Sequence, residues 1–462
     1  MKLDTQINES LIQKWAPMLE SEQFAPIATN YKKHVVATLL ENQTRAGALD
    51  ESTPTNLTGG VAKWEGVLAG MARRAVPSLI AFDVMGVQPM TQPSQLLFAL
   101  RSLYTNQSGA EALFGEANTA FGGTGTHTLG GVYSRTVKAT VTNGSATVTV
   151  PSAAGLAVGM LVVGAGMPRG QKVQSISGTN VTLLHNATAA GTDVPLNFVA
   201  QAGTGMAVAQ GEGDIAAQMG LKVEKINVEA KTRALKASFS LELMQDLQAV
   251  HGLNAEQELI NILSNEYISE VNREVLRTIY AQARFGAAVD TQQIGVFDLQ
   301  ADADGRWSAE RFKGLHFAIE RDANGIAKDT RRGKANVLIC SADVASALSM
   351  ANILSTSNLD VSVNSDWTVN TYVGNIGNIR VHVDPYADQN FYCLGYKGAS
   401  SWDAGLIYAP YVAMQLMKTT DTMSFQPILG VKARYGLTTN PFVSGQVREN
   451  DYYRIAEVKN II

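Results

Sequence analysis

Cysteine is almost missing from the 462-residue chain: there are two, Cys340 and Cys393, far apart and in no paired-motif spacing. A disulfide-stapled scaffold is therefore excluded, and a reducing compartment is the default expectation. Charge is sparse too, at 17% Asp, Glu, Lys and Arg, with a formal net charge of −4. That balance lacks the basic stripe of a dedicated nucleic-acid binder. No long apolar run exists. The longest uncharged stretch, 139–168, is broken by Gly144, Gly155, Gly159, Gly164 and Gly166 among Thr and Val. A membrane helix needs a continuous apolar block, so none is expected. The opening Met1-Lys2-Leu3-Asp4-Thr5-Gln6 has no apolar core behind its charge, and no secretory leader is expected.

Reactive constellations are equally scarce. The six histidines (His34, His127, His185, His251, His316 and His382) lie more than ten residues apart, so no local zinc motif forms. Gly211-Glu212-Gly213-Asp214-Ile215-Ala216 fits a dinucleotide fingerprint by letter, but Glu212 and Asp214 would repel a pyrophosphate. Asp302-Ala303-Asp304-Gly305 resembles part of a calcium loop. Arg311 stands where the bidentate carboxylate belongs, and the motif is rejected. The cluster Arg331-Arg332-Gly333-Lys334 reads as a solvated loop. No catalytic residue, cofactor or metal is expected.

Hydrophobic periodicity supplies the positive signals. Apolar residues at helical spacing predict helices over 8–19 (Leu11, Ile12, Trp15, Leu19) and 29–42 (Tyr31, Val35, Val36, Leu39, Leu40). A helix is also predicted over 62–74, and a strand over 95–104. Residues 139–200 hold only Arg169, Lys172 and Asp193 as charges. Five short β runs there, at 146–150, 159–163, 172–176, 181–184 and 194–199, predict a small all-β sandwich or barrel inserted in a loop. The strongest helix signal covers 254–284. Leu259, Leu263, Tyr267, Val271, Val275 and Ile279 recur on one face, with Asn254 and Gln257 as a capping box and Gly286 as the stop. At about 1.5 Å per residue this is a rod of about 45 Å. Residues 306–424 alternate helix and strand patterns, which gives an α/β or α+β class.

Three ordered blocks carry a family resemblance. The first is Gly60-Val61-Ala62-Lys63-Trp64, running through 71–83 (Met71 to Asp83), 86–90 and 97–101. The second is Val228-Glu229-Ala230-Lys231-Thr232-Arg233, running through 243–252 to Glu270-Val271-Asn272-Arg273-Glu274-Val275. The third comprises Gly395-Tyr396-Lys397-Gly398, then 403–412, Phe425-Gln426-Pro427, Arg434-Tyr435-Gly436 and Asn440-Pro441-Phe442. Together they resemble the major capsid protein of T-even-like tailed phages.

The resemblance implies the Hong Kong 97 phage capsid fold, with an axial domain, a peripheral domain with a long spine helix, an N-arm and an E-loop. Its domain expectations are as follows. Residues 1–51 form an N-terminal propeptide or scaffold-contacting segment, with Trp15 and Leu39 facing the scaffold. Residues 52–105 form the N-arm and the start of the peripheral domain. Residues 106–218 form an E-loop region carrying the β insertion at 139–200. Residues 219–305 form the peripheral domain with the spine helix, 306–424 the axial domain, and 425–462 a closing strand and tail. The implied function is a non-enzymatic shell subunit of the virion, assembled in the host cytoplasm. Its copies would form hexamers around double-stranded DNA without binding it specifically. Vertex protein, scaffold, prohead protease and portal are the implied partners, and no membrane is involved.

Members are cut after a Leu/Ile-x-Glu motif, which Leu49-Asp50-Glu51 followed by Ser52 fits. Residues 7–9, 39–41, 268–270 and 455–457 match it too. The site at 49–52 is favoured because it precedes a Pro/Thr/Gly linker. The alternatives are a pentameric vertex protein of the same family and, with less support, a phage carbohydrate-binding or hydrolytic protein. The latter would use the insertion, whose only aromatic is Phe198 and only carboxylate Asp193.

Overall fold

A computed structural model describes residues 9–20, 27, 29–49, 79–113, 116–125, 127–128, 134–213, 215, 217–289, 291–303, 305, 307–351, 354, 372–421, 423, 426–443 and 445–461. The helix expected over 62–74 and positions 50–52 of the expected cleavage motif lie outside these residues. The chain divides into two compact units, 1–99 with 224–462, and 100–223.

The first unit begins with two helices, α1 (Glu9–Leu19) and α2 (Asn30–Leu49). A single helical turn, Ala81–Val84, leads into β1 (Gly86–Val87). The long strand β2 (Ser94–Tyr104) pairs with β9 (Met219–Glu229), and β10 (Lys231–Ser238) follows. Helix α3 (Leu241–Asp246), capped by the Ser240 hydroxyl, continues as a π-turn over Leu247–His251. Next comes α4 (Ala255–Gln282), about 42 Å of helix. Its buried residues Ile260, Leu263, Tyr267, Val271, Val275 and Ile279 follow the helical period. Asn254 caps it by accepting from the Glu256 N–H. The expected stop at Gly286 is corrected. The helix ends at Gln282, where Ala283 turns extended and opens β11 (Ala283–Phe285). Gly286 is needed for another reason: a Cβ there would collide with the carboxylate of Asp322.

The remaining elements are β12 (Val296–Asp298), α5 (Ser308–Thr330), β13 (Val337–Cys340), α6 (Ala342–Met350), β14 (Tyr372–Ile376), β15 (Ile379–Val383), β16 (Phe391–Gly395), β17 (Leu406–Thr420), β18 (Pro427–Thr439) and β19 (Asn450–Lys459). They build two sheets. One runs β1-β17-β18-β10. The other is mixed, in the order β11-β19-β16-β13-β15-β14, with β12 also on β19.

The mixed sheet has a core on each face. Val337, Ile339 and Cys393 join α4 and β17 on one side, whereas Leu338, Cys340, Tyr392 and Leu394 join α5 and α6 on the other. All four β13 residues are buried, the expected outcome for a strand covered on both faces. The strand β17 likewise turns Leu406 and Tyr408 to the α4 core, and Ile407 and Ala409 to a small cluster with Met90, Leu97 and Val228.

The second unit contains the β insertion. Its strands are β3 (Ser134–Val141), β4 (Thr147–Thr149), β5 (Leu161–Gly164), β6 (Val173–Ser177), β7 (Asn180–Leu183) and β8 (Gly191–Val199), in the order β5-β8-β3-β4-β7-β6. Hydrogen bonds from Val162 N to Gln171 O (2.8 Å) and from Val173 N to Met160 O (2.9 Å) join the two edges. The sheet thereby closes on itself, which removes the exposed edges that invite aggregation. Val148, Met160, Val181, Leu196 and Phe198 fill the interior at 0–1% exposure. Gln171 is fully buried, and its side chain donates to His185 O while accepting from His185 N, substituting for a missing strand pair. Strand β3 was not foreseen: Arg135 and Lys138 interrupt the low-charge signature from which the insertion was read.

Candidate functional site

Helix α4 is braced on several sides by buried or half-buried polar side chains. On one flank, Arg233 of β10 donates to Glu270 (2.7 Å) and Glu274 (2.5 Å) on successive turns of α4, and to the Tyr435 hydroxyl of β18 (2.9 Å). Tyr435 also donates to Glu274. The i,i+4 spacing of Glu270 and Glu274 puts both carboxylates on one helix face, where a single guanidinium fork reaches both.

On another flank, Arg273 grips Asp384, just past β15, through both carboxylate oxygens (2.9 and 2.7 Å). Tyr280 donates to the same carboxylate at 3.0 Å. Asp384 is 2% exposed, so these partners satisfy a charge that would otherwise be costly to bury. Burial and the neighbouring Asp384 push the Tyr280 hydroxyl well above its usual range.

A third contact comes from the chain before β1. Asn272 of α4 accepts from Ile80 N at 3.0 Å, and Tyr453 of β19 donates to Val84 O at 3.1 Å. Arg380 pairs with Asp83 at 2.8 Å, and the Lys397 ammonium donates to Phe82 O. Burial lowers Lys397 to about 8, opposed by Asp83 and reinforced by Arg380 and Lys32. A fourth cluster ties α5 to the sheet, where Asp322 accepts from the Tyr392 hydroxyl and from Ala287 N, both at 2.8 Å.

These groups hold elements together. Among the described residues, no group of three or more His, Cys, Asp or Glu is arranged to hold a metal ion. Among them, too, no helix is long and apolar enough to cross a membrane. The Asp302 carboxylate accepts from the backbone of Gln292 and Asp298, as a loop-shaping group. Arg332 pairs with Asp403, and Lys334 with Glu320. Phe198, the only aromatic of the insertion, is fully buried and offers no stacking platform for a sugar.

What the surface does offer is apolar. Alternate residues Met219, Leu221 and Val223 of β9 are each more than half exposed. In the 241–253 segment, Leu241, Leu243, Val250 and Leu253 are 47–73% exposed. Large apolar side chains repeated on one side of a strand, as at Met219, Leu221 and Val223, are a pattern found at interaction surfaces.

Of the processing motif, Leu49 ends α2, while Asp50, Glu51 and Ser52 lie outside the described residues. Leu39 is corrected: at 1% exposure it is packed into the chain's own core, and it does not face outward. Its i,i+4 partners looked like one stripe of an isolated helix, and nothing local in sequence showed what would cover them. The Arg233 and Asp384 braces were also missed, since Arg233 lies 37 and 41 residues from its partners on α4 and Asp384 lies 111 and 104 residues from its own, beyond the reach of local pattern.

A family model described as major capsid protein Gp23 matches residues 61–458. The major capsid protein of Vibrio phage KVP40 is 33% identical over 535 aligned residues, covering 98% of this chain and all of that one. The capsid vertex protein of the same phage is 23% identical, covering 50% of this chain and 72% of its own. Among solved structures, the capsid of Myoviridae phage XM1 is similar with a TM-score of 0.33 and 11% identity, over 54% of this chain and 79% of that one. The class so defined is that of virion structural proteins, the subunits of a phage head shell. Within it, the chain belongs to the Gp23 family of major capsid proteins.

Proposed function

We propose that the chain tiles the head shell as hexameric capsomers of the Hong Kong 97 type, with α4 as the spine helix of each subunit. Family membership over nearly the whole chain supports this reading, and the bracing of α4 gives it a mechanism. Arg233, Arg273 and Asn272 fix three different segments to one rigid helix, so force applied at one interface is passed on instead of unfolding the subunit. Residues 306–424 act as the axial domain, 219–305 as the peripheral domain, 52–105 as the N-arm and its continuation, and 106–218 as the E-loop region. The exposed apolar residues of β9 and of 241–253 are covered by neighbouring copies. Summed over a closed lattice, weak contacts of this kind become collectively strong.

The shell encloses double-stranded DNA without specific contacts, in keeping with the net charge of −4. The role is structural, with no catalytic residue and no cofactor. Vertex protein, scaffold, prohead protease and portal are the partners, and assembly takes place in the host cytoplasm. The leading segment is cut after Glu51 during maturation, and N-terminal sequencing of the chain from mature virions reads that directly. A vertex role is disfavoured by the contrast between 33% identity over 98% of the chain and 23% over 50%. Copy number in purified virions tests the choice: a major capsid protein is the dominant chain of the head, whereas a vertex protein is a minor one.

A further inference from the structure

The helix α2 is built into the body it precedes. Val35, Val36 and Ala37 have no exposed surface, and Leu39 and Leu40 are 1–3% exposed. They share one core with Phe82, Tyr267, Val271, Tyr408 and Met414, so α2 fills a groove walled by α4, β17 and the 79–85 segment. Polar contacts fix its register. The Asn42 amide donates to Met90 O (2.6 Å) and Tyr411 O (2.8 Å), and is itself 5% exposed. The Lys32 ammonium lies 5.4 Å from the centre of the Phe82 ring. Helix α1 closes over the outside: Lys14 pairs with Glu41 at 2.6 Å, and the Trp15 indole donates to the same carboxylate at 3.3 Å.

We propose that this groove is a recognition site for the chain's own leading hairpin, residues 9–49, and that it holds the hairpin after the backbone is cut. The proposal rests on the reading that the chain is processed after Glu51. An amphipathic helix set in a preformed apolar groove is a standard mode of non-covalent peptide recognition. Here the anchors are Val35, Val36, Leu39 and Leu40, with Asn42 reading two backbone carbonyls. Cutting beyond α2 removes none of these contacts. Scission and release are therefore separate steps, and release requires the groove to open. The second motif match, Leu39-Leu40-Glu41, stays helical and covered until then, so further trimming follows release.

The test uses the full-length chain with a sequence-specific protease site substituted at residues 50–53. After cutting, size-exclusion chromatography in native buffer is expected to show the leading fragment eluting with the body, and separating only in denaturant. A fragment that separates on cutting overturns the proposal. Asn42→Ala leaves Met90 O and Tyr411 O without their donor and is expected to speed release about tenfold. An unchanged release rate overturns the assignment to this groove. The cut is imposed, so the outcome is independent of where the phage protease acts; N-terminal sequencing of virion protein tests that reading separately.

Discussion

Cys340 and Cys393 stand on hydrogen-bonded neighbouring strands yet face opposite sides of the sheet. Cys340 is opposite Tyr392 and Cys393 is opposite Ile339, one residue out of step. Successive strand residues point to opposite faces, so the thiols enter different cores. Burial pushes each thiol up to about 12. Neither an intramolecular disulfide nor ready alkylation is expected of the native chain. Titration with an aromatic disulfide reagent should find no reactive thiol in native protein and two in denaturant; native reactivity would contradict the sheet assignment.

His382 makes stability fall in mild acid. Burial lowers its pKa from 6.5 to about 4, against the pull of Asp83 and together with the push of Arg380. The unfolded chain therefore takes up a proton that the folded chain refuses. Stability is full above pH 6.5 and falls as pH drops towards 4, by about 3 kcal/mol from this group. Denaturant melts of wild type and His382→Gln across this range should show a steeper slope in the wild type.

The Arg233 fork and Glu274 should couple energetically. Both side chains are 30–40% exposed, so solvent screening reduces the pair to about 1 kcal/mol. A double-mutant cycle of Arg233→Met and Glu274→Gln, read by chemical denaturation, measures it. A coupling near zero would remove the brace from the mechanism.

Val271 has no exposed surface and sits mid-way along α4. Proline there deletes a helical hydrogen bond and clashes with the preceding turn, at a cost of about 3 kcal/mol or more. Val271→Pro is expected to give insoluble or unassembled protein, scored by sedimentation. Normal particles would mean that α4 does not carry the subunit.

Much of this architecture was readable in the residues. The helical period of Leu263, Tyr267, Val271, Val275 and Ile279 survives intact because one face of α4 is buried and the other wet. The insertion strands were readable because Gly, Ser and Asn punctuate them. Strand β3 escaped because charged Arg135 and Lys138 break the low-charge pattern, Lys138 on the outward side and Arg135 half-buried at the start of the inward row. The burial of α2 escaped for a different reason: an amphipathic stripe shows that a helix is covered, never by what. The braces on Glu274 and Asp384 depend on contacts between distant segments, which local pattern does not encode.

The insertion should be dispensable for assembly. Ser134 and Val199 are paired partners, so its two ends leave the barrel side by side, within about 5.5 Å. Replacing 134–199 with a short Gly/Ser linker is expected to leave particle formation intact by electron microscopy. Complete loss of assembly would make the insertion part of the shell contact.

Cryo-electron microscopy of heads assembled from the full chain tests the central claim most directly. The account predicts closed icosahedral shells whose hexameric capsomers are filled by this chain, with α4 resolved as a continuous rod in every subunit. Density for the chain at the five-fold vertices alone, or a chain that stays monomeric beside its assembly partners, would contradict it.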